Sequence, residues 1–210
     1  MRDTVTGTLR RYEPRDRDAV WHLHRTALAE AGTDPTDVPD TDDLRDVRAT
    51  YLDTGGEFLV YEGERSEPSK RERGERGPKR LETRAASAAS DAARESTDGQ
   101  TREVVAMGGL AVADDEIPPD AGELMRIAVH PDHQRAGYGN AIVAGLEDAA
   151  RERGIDRVFL WTAQRQRSAV SFYRSRGYEG TDHRTEGEYE LLRFEKALDG
   201  DPETPEASDG

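Results

Sequence analysis

The stretch HPDHQRAGYGNAI, residues 130–142, decides the fold. Before it runs ELMRIAV, residues 123–129, which reads as a buried strand. After it comes NAIVAGLEDAARERG, residues 140–154, with Ile142, Val143, Leu146 and Ala149 at helical spacing and Gly154 as its stop. A strand, a glycine loop and a helix start make an anion site. The first N–H groups of a helix have no intrahelical partner and carry partial positive charge. Gly137 and Gly139 remove the side chains that would hold a phosphate off those groups. By itself the pattern also fits a tight turn. Two nucleotide signatures are excluded. There is no G-x-x-x-x-G-K-[ST], and Ile142 stands where G-x-G-x-x-G needs its third glycine. The loop also lies past mid-chain rather than after a first strand.

The composition narrows the partners. The 210 residues include no cysteine, which removes disulfides and thiolate metal sites. Charged residues make up 35% and the net charge is -14. A net acidic chain is a poor ligand for the nucleic-acid backbone. Of the 30 basic residues, 27 are arginine; the lysines are Lys70, Lys79 and Lys196. Dense carboxylates with little lysine resemble the proteins of salt-loving archaea, where molar salt screens self-repulsion. A GC-rich genome produces the same bias. The longest mostly apolar run, residues 104–113, is far short of the ~20 residues of a membrane helix, and residues 1–18 hold no apolar signal core. The expectation is a soluble, cytoplasmic protein with no membrane partner.

Along the chain, GTLRRYE (7–13) reads as a first strand. Residues 14–32 read as a helix, with Asp16 as N-cap, Ala19, Val20, Leu23, Ala27 and Leu28 as its stripe and Gly32 as its stop. A loop at 33–40 leads to a second helical stripe over 41–52: Leu44, Val47 and Tyr51. EFLVYEG (57–63) is a strand. Residues 64–100 hold almost no large apolar side chain and are expected to be a disordered charged insertion that splits a hairpin. Strands follow at 104–113, 123–129 and 155–163, a short helix over 168–176 that stops at Gly177, and a last strand at 189–198. The acidic tail 199–210 is expected to be disordered. The order β-α-α-β-(insertion)-β-β-α-β-α-(β)-β is an α/β, mixed α+β layer arrangement.

Gln134-Arg135-Ala136-Gly137-Tyr138-Gly139 resembles the Q/R-x-x-G-x-G/A signature of the GCN5-related N-acetyltransferase (GNAT) superfamily. A second stretch agrees: in QRQRSAVSFYRSRGYEG (164–180), Ala169, Phe172, Tyr173, Gly177 and Tyr178 are similar to that family's N-x-x-A-x-x-x-Y-x-x-x-G-F segment. Gln166 replaces the asparagine that often opens it, and Tyr178 replaces the phenylalanine. The resemblance implies a single domain over 7–197, interrupted by 64–100. Its fold would be a central mixed twisted sheet of about six to seven strands flanked by about four helices.

It also implies a mechanism. The co-substrate is acetyl-CoA, with its pyrophosphate on the backbone N–H groups of Arg135 to Asn140. Its pantetheine arm lies along the edge of Ile127, Ala128 and Val129. The Val129 N–H is the oxyanion donor, and Gln166 stands where the family places a side-chain contact. Acetyl transfer needs a base for the amine and an acid for the thiolate. Glu123 is the base candidate, with Glu57 and Glu103 as rivals; Tyr173 is the acid candidate. His130, Asp132 and His133 read as loop residues, and no metal is expected. The acceptor is a primary amine, either a small molecule or a protein N-terminus or lysine. A non-catalytic acyl-CoA sensor on the same fold is the alternative, and a homodimer is left open.

Overall fold

The computed structural model describes residues 7–30, 32, 41–64, 102–112 and 117–198. The loop at 33–40, nearly all of the expected insertion and the tail lie outside the described residues. Seven strands form one sheet: β1 (Gly7–Arg11), β2 (Glu57–Glu64), β3 (Arg102–Ala111), β4 (Ala121–Val129), β5 (Arg157–Ala163), β6 (Glu179–Glu186) and β7 (Tyr189–Ala197). Their spatial order is β1-β2-β3-β4-β5-β7-β6. Three longer helices accompany them: α1 (Arg17–Glu30), α2 (Tyr138–Glu152) and α3 (Arg167–Ser175).

The helices sit on opposite faces. On one, α1 buries Val20 and Leu23 against Phe58, Val60 and Met107 of the sheet. On the other, α2 buries Ile142, Val143 and Leu146 against Val105, Leu110 and Leu160. The adjacent glycines of β3 allow both layers to close in. A Cβ at Gly108 would lie 2.7 Å from Ile142 on α2, and one at Gly109 would lie 2.6 Å from Tyr51 on the α1 side.

Three expectations change in detail. The stripe Leu44, Val47, Tyr51 is buried, but residues 41–52 are not one helix. A 3-10 turn (Thr41–Arg45) is followed by a separate wide turn (Arg48–Leu52). The cause is local. Asp46 stands between the two turns and its side chain accepts from the N–H of Ala49, so a fresh turn starts there instead of the last continuing. Asp16 does not cap α1 with its side chain. Its carboxylate turns back to Arg10, at 2.7 Å from both terminal nitrogens, and accepts from the N–H of Glu13. Helix α2 starts at Tyr138 rather than at residue 140, so Gly139 lies inside its first turn.

The feature that creates the site is where pairing stops. Among the described residues, strands β4 and β5 are the one parallel pair, in register only at Ala121↔Arg157, Gly122↔Val158 and Glu123↔Phe159. Beyond Glu123 they part: β5 continues on β7 to Ala163, while β4 continues on β3 to Val129. A bulge sharpens the divergence. Between Met125 and Ala128 the register slips, and Arg126 takes φ 55, rare for a residue with a side chain. An ion pair holds it there. The Arg126 guanidinium meets Asp43 at 2.8 Å with both side chains nearly buried, and Tyr51 donates to the same carboxylate oxygen.

Candidate active site

The wedge between β4 and β5 opens into a cleft of about 670 Å³. Strand β4 lines it with Ile127, Ala128 and Val129, and α1 with Ala27 and Leu28. Gln134, Arg135, Gly137, Gly139 and Asn140 form one end; Gln166, Ala169, Phe172 and Tyr173 form the far wall.

The free edge of β4 is polar backbone. The N–H of His130 donates to Val105 on β3 at 2.8 Å. By the alternation of an antiparallel ladder, the N–H groups of Val129 and Ile127 then point the other way, into the cleft. Extended chain laid in the wedge would find donors at strand spacing.

The two glycines do different work. Gly137 is the N-cap of α2 at φ 96, a left-handed conformation that costs any L-residue about 1–2 kcal/mol. Gly139 has no such backbone need. A Cβ there would lie 3.5 Å from Val129 and 3.7 Å from Phe172, ordinary contact distances. The protein leaves room for a methyl there, and Gly139 lines the cleft. Helix start, bare Gly139 and a donor edge fit a phosphate-bearing ligand with an amide-rich arm, the chemistry of coenzyme A.

Other expected residues fall as follows. Ala136 and Tyr138 do not line the cleft. Tyr138 is buried, edge-on to Tyr61 at 4.9 Å and to His133 at 5.7 Å, and anchors the loop from behind. Burial lowers the pKa of His133, and the charge of His130 acts in the same direction. His130 accepts from the N–H of Asp132, and no group of three or more metal-binding side chains occurs among the described residues. Gln166, half-buried at the N-cap of α3, accepts from the Thr162 hydroxyl at 3.1 Å.

Tyr173 is buried within a ring cluster of Phe172, Tyr178 and Phe194. Burial pushes its pKa well up; the charge of Arg176 only partly offsets this. The phenol therefore keeps its proton at neutral pH.

Glu123 is not part of the cleft lining. It is half-buried at the last paired residue before the wedge opens. Leu124 packs in the α2 cluster and Met125 in the α1 cluster, so strand alternation puts Glu123 on the α1 face. Its rivals are engaged elsewhere. Glu57 is held by Arg11 at 2.7 Å and Arg153 at 2.9 Å. Glu103 lies 3.8 Å from His133, behind the glycine loop.

Two buried groups near the site were not legible in the sequence. His24, on the cleft side of α1, is 6% exposed, and its Nε2 has no hydrogen-bond partner. Burial and then the charge of Arg126 lower its pKa to about 4, against the opposing charge of Asp43. The second is Glu147 on α2, to which Tyr178, Lys196 and Arg176 all donate.

Comparison with known proteins follows the same lines. The sequence model of the Acetyltransferase (GNAT) family matches residues 59–178. An amino-acid acetyltransferase of Ectopseudomonas mendocina is 32% identical over 80 residues, 36% of this chain and 18% of that protein. The [ribosomal protein bS18]-alanine N-acetyltransferase of Escherichia coli K12 is 34% identical over 68 residues, 32% of this chain and 46% of that protein. The matches thus span less than half the length of either curated relative. Among solved structures, a GNAT-family acetyltransferase of Staphylococcus aureus Mu50 superposes with a TM-score of 0.64 at 14% identity, covering 91% of this chain and 99% of that one. The Salmonella typhimurium yncA protein with its cofactor acetyl-CoA gives 0.60 at 17% identity, covering 95% and 98%. No helix among the described residues is long and apolar enough to cross a membrane. The fold is that of the GNAT acyltransferases, and the family model takes in more than half of the sequence: this chain belongs to the GNAT acetyltransferase family.

Proposed function

We propose that the protein moves an acetyl group from acetyl-CoA to a primary amine by direct attack in a ternary complex. The acceptor is a small-molecule amine or a protein N-terminus or lysine. The observation that carries this reading is the wedge. An unpaired β4 edge runs from the first turn of α2 at one end to the buried phenol of Tyr173 on the facing wall.

The co-substrate supplies a thioester; this chain's residues do the rest. Backbone N–H groups at the start of α2 bind the pyrophosphate. The Ile127 and Val129 N–H groups orient the arm as an added strand, and Val129 donates to the acetyl oxygen as negative charge develops there. Tyr173, protonated and reached from the cleft, gives its proton to the departing sulfur. Glu123, across the sheet on the α1 face, takes the amine's proton through a water. Donor and acceptor then enter from opposite sides of the wedge. This arrangement favours a ternary complex over an acyl-enzyme, and the absence of cysteine agrees with it.

The test mixes protein, acetyl-CoA and a panel of polyamines and peptides with varied N-termini in molar KCl, and follows free thiol and acceptor mass. Thiol release with acetylation of at least one acceptor is expected. No binding of coenzyme A by calorimetry would overturn the reading. Tight binding without thiol release for any acceptor would replace it by an acyl-CoA-binding module.

A further inference from the structure

Asn140 lies in the first turn of α2 and lines the cleft. Its Oδ1 accepts from a terminal nitrogen of Arg176, which follows α3, at 3.1 Å. An amide has one accepting end and one donating end. With the oxygen turned to Arg176, the two Nδ2 hydrogens face away from it. A flipped amide would set donor against donor.

Arg176 is itself held. Its other terminal nitrogen meets Glu147 at 3.2 Å. Glu147 is 4% exposed and also receives the Tyr178 hydroxyl at 2.9 Å and Lys196 at 3.0 Å. The Arg176 Nε is buried without a partner, so the guanidinium sits where its two terminal nitrogens are used. It lies 5.9 Å from the Phe172 ring, the same ring that borders Gly139. One side chain thus ties the start of α2 to α3, the two walls of the cleft at its glycine end.

We infer that the Asn140 side chain donates its Nδ2 hydrogens to the phosphates of the bound co-substrate, and that Arg176, pinned by Glu147, is the positioning residue that forbids the amide to flip. The inference rests on the acetyl-CoA reading above. A phosphate oxygen only accepts, so an amide that presented its own oxygen would repel it. The guanidinium one hydrogen bond behind the amide polarises the donors toward the ligand.

Asn140→Asp separates binding from packing. A carboxylate accepts from Arg176 at least as well as an amide, but it offers the ligand no donor and adds a negative charge. The thermal midpoint should hold or rise. The ratio of kcat/KM for acetyl-CoA to that for acetyl-pantetheine, which lacks the phosphates, should fall at least about tenfold. Arg176→Gln should lower the same ratio by about threefold, as expected for an amide left free to turn. If Arg176→Gln fails to fold, Asn140→Asp still decides, because it keeps the Arg176 contact. A wild-type-like ratio in Asn140→Asp overturns the inference and leaves the proposed function standing. A wild-type protein with no preference for acetyl-CoA over acetyl-pantetheine overturns both.

Discussion

Replacing Gly139 by alanine should make the protein slightly more stable and leave its binding intact. The new methyl would meet Val129 at 3.5 Å and Phe172 at 3.7 Å, contacts that need no adjustment. Alanine also restricts the unfolded chain more than glycine does, which favours the helix by about 0.5 kcal/mol. The ligand should stay where it was. The methyl points at Val129 and Phe172, and the Q/R-x-x-G-x-G/A pattern that residues 134–139 resemble takes alanine at this position, so Kd should change by less than about threefold. Gly137→Ala is the control with the opposite sign. Its φ of 96 makes alanine strained, so the fold should lose about 1–2 kcal/mol. Urea unfolding in molar KCl reads the stability, and calorimetry with coenzyme A reads the affinity. Gly139→Ala losing about tenfold or more in coenzyme A affinity would refute the reasoning, since the methyl would then stand in the ligand's way rather than against Val129 and Phe172.

Three further outcomes can be checked. Tyr173→Phe should lower kcat about a hundredfold or more while the KM for acetyl-CoA stays near the wild-type value; steady-state thiol release measures both, and equal turnover would remove the acid role. Asp43→Ala removes the carboxylate that faces the nearly buried Arg126 charge, so unfolding free energy should drop by about 3 kcal/mol, and a loss below 1 kcal/mol would show that the pair does not hold the β4 bulge. His24 makes the fold acid-sensitive. Its pKa in the folded protein is lowered to about 4, so the folded state holds fewer protons than the unfolded chain, and stability falls as the pH drops below about 6.5. Between pH 7.5 and 5 this amounts to about 2 kcal/mol, which His24→Leu should abolish; an unchanged pH slope in that variant would refute it.

What the sequence revealed depended on how local the signal was. Gly137, Gly139, Ala169 and Tyr173 are placed by short motifs, and the structure gathers them into one cleft. The stripe Leu44, Val47, Tyr51 showed which residues face inward, but not that Asp46 would break the helix, because side-chain capping competes with propagation residue by residue. Strand β6 stands in the sequence order only as a bracketed strand without bounds, because all eight of its residues are exposed and no apolar alternation marks it. Long-range partners left no trace. Arg126 finds Asp43 across 83 residues and Arg176 finds Glu147 across 29, and nothing in either neighbourhood announces the other. For the same reason Glu57 looked like an unengaged carboxylate until Arg11 and Arg153 closed on it.

The three-residue register between β4 and β5 makes the sheet a structure with a seam. On one side stand β1 to β4, on the other β5 to β7, and few backbone bonds stitch them together. A ligand that pairs with β4 in the wedge acts as the missing stitch, and its binding energy becomes part of the protein's own cohesion. At a concentration a hundredfold above its Kd, the complex gains about 2.7 kcal/mol over the free chain. That is a sizeable part of what holds a domain folded at all. The lifetime of the protein in a cell would then track the supply of its donor. When the donor runs short, the seam weakens, and the catalyst becomes easier to degrade just when there is least for it to do.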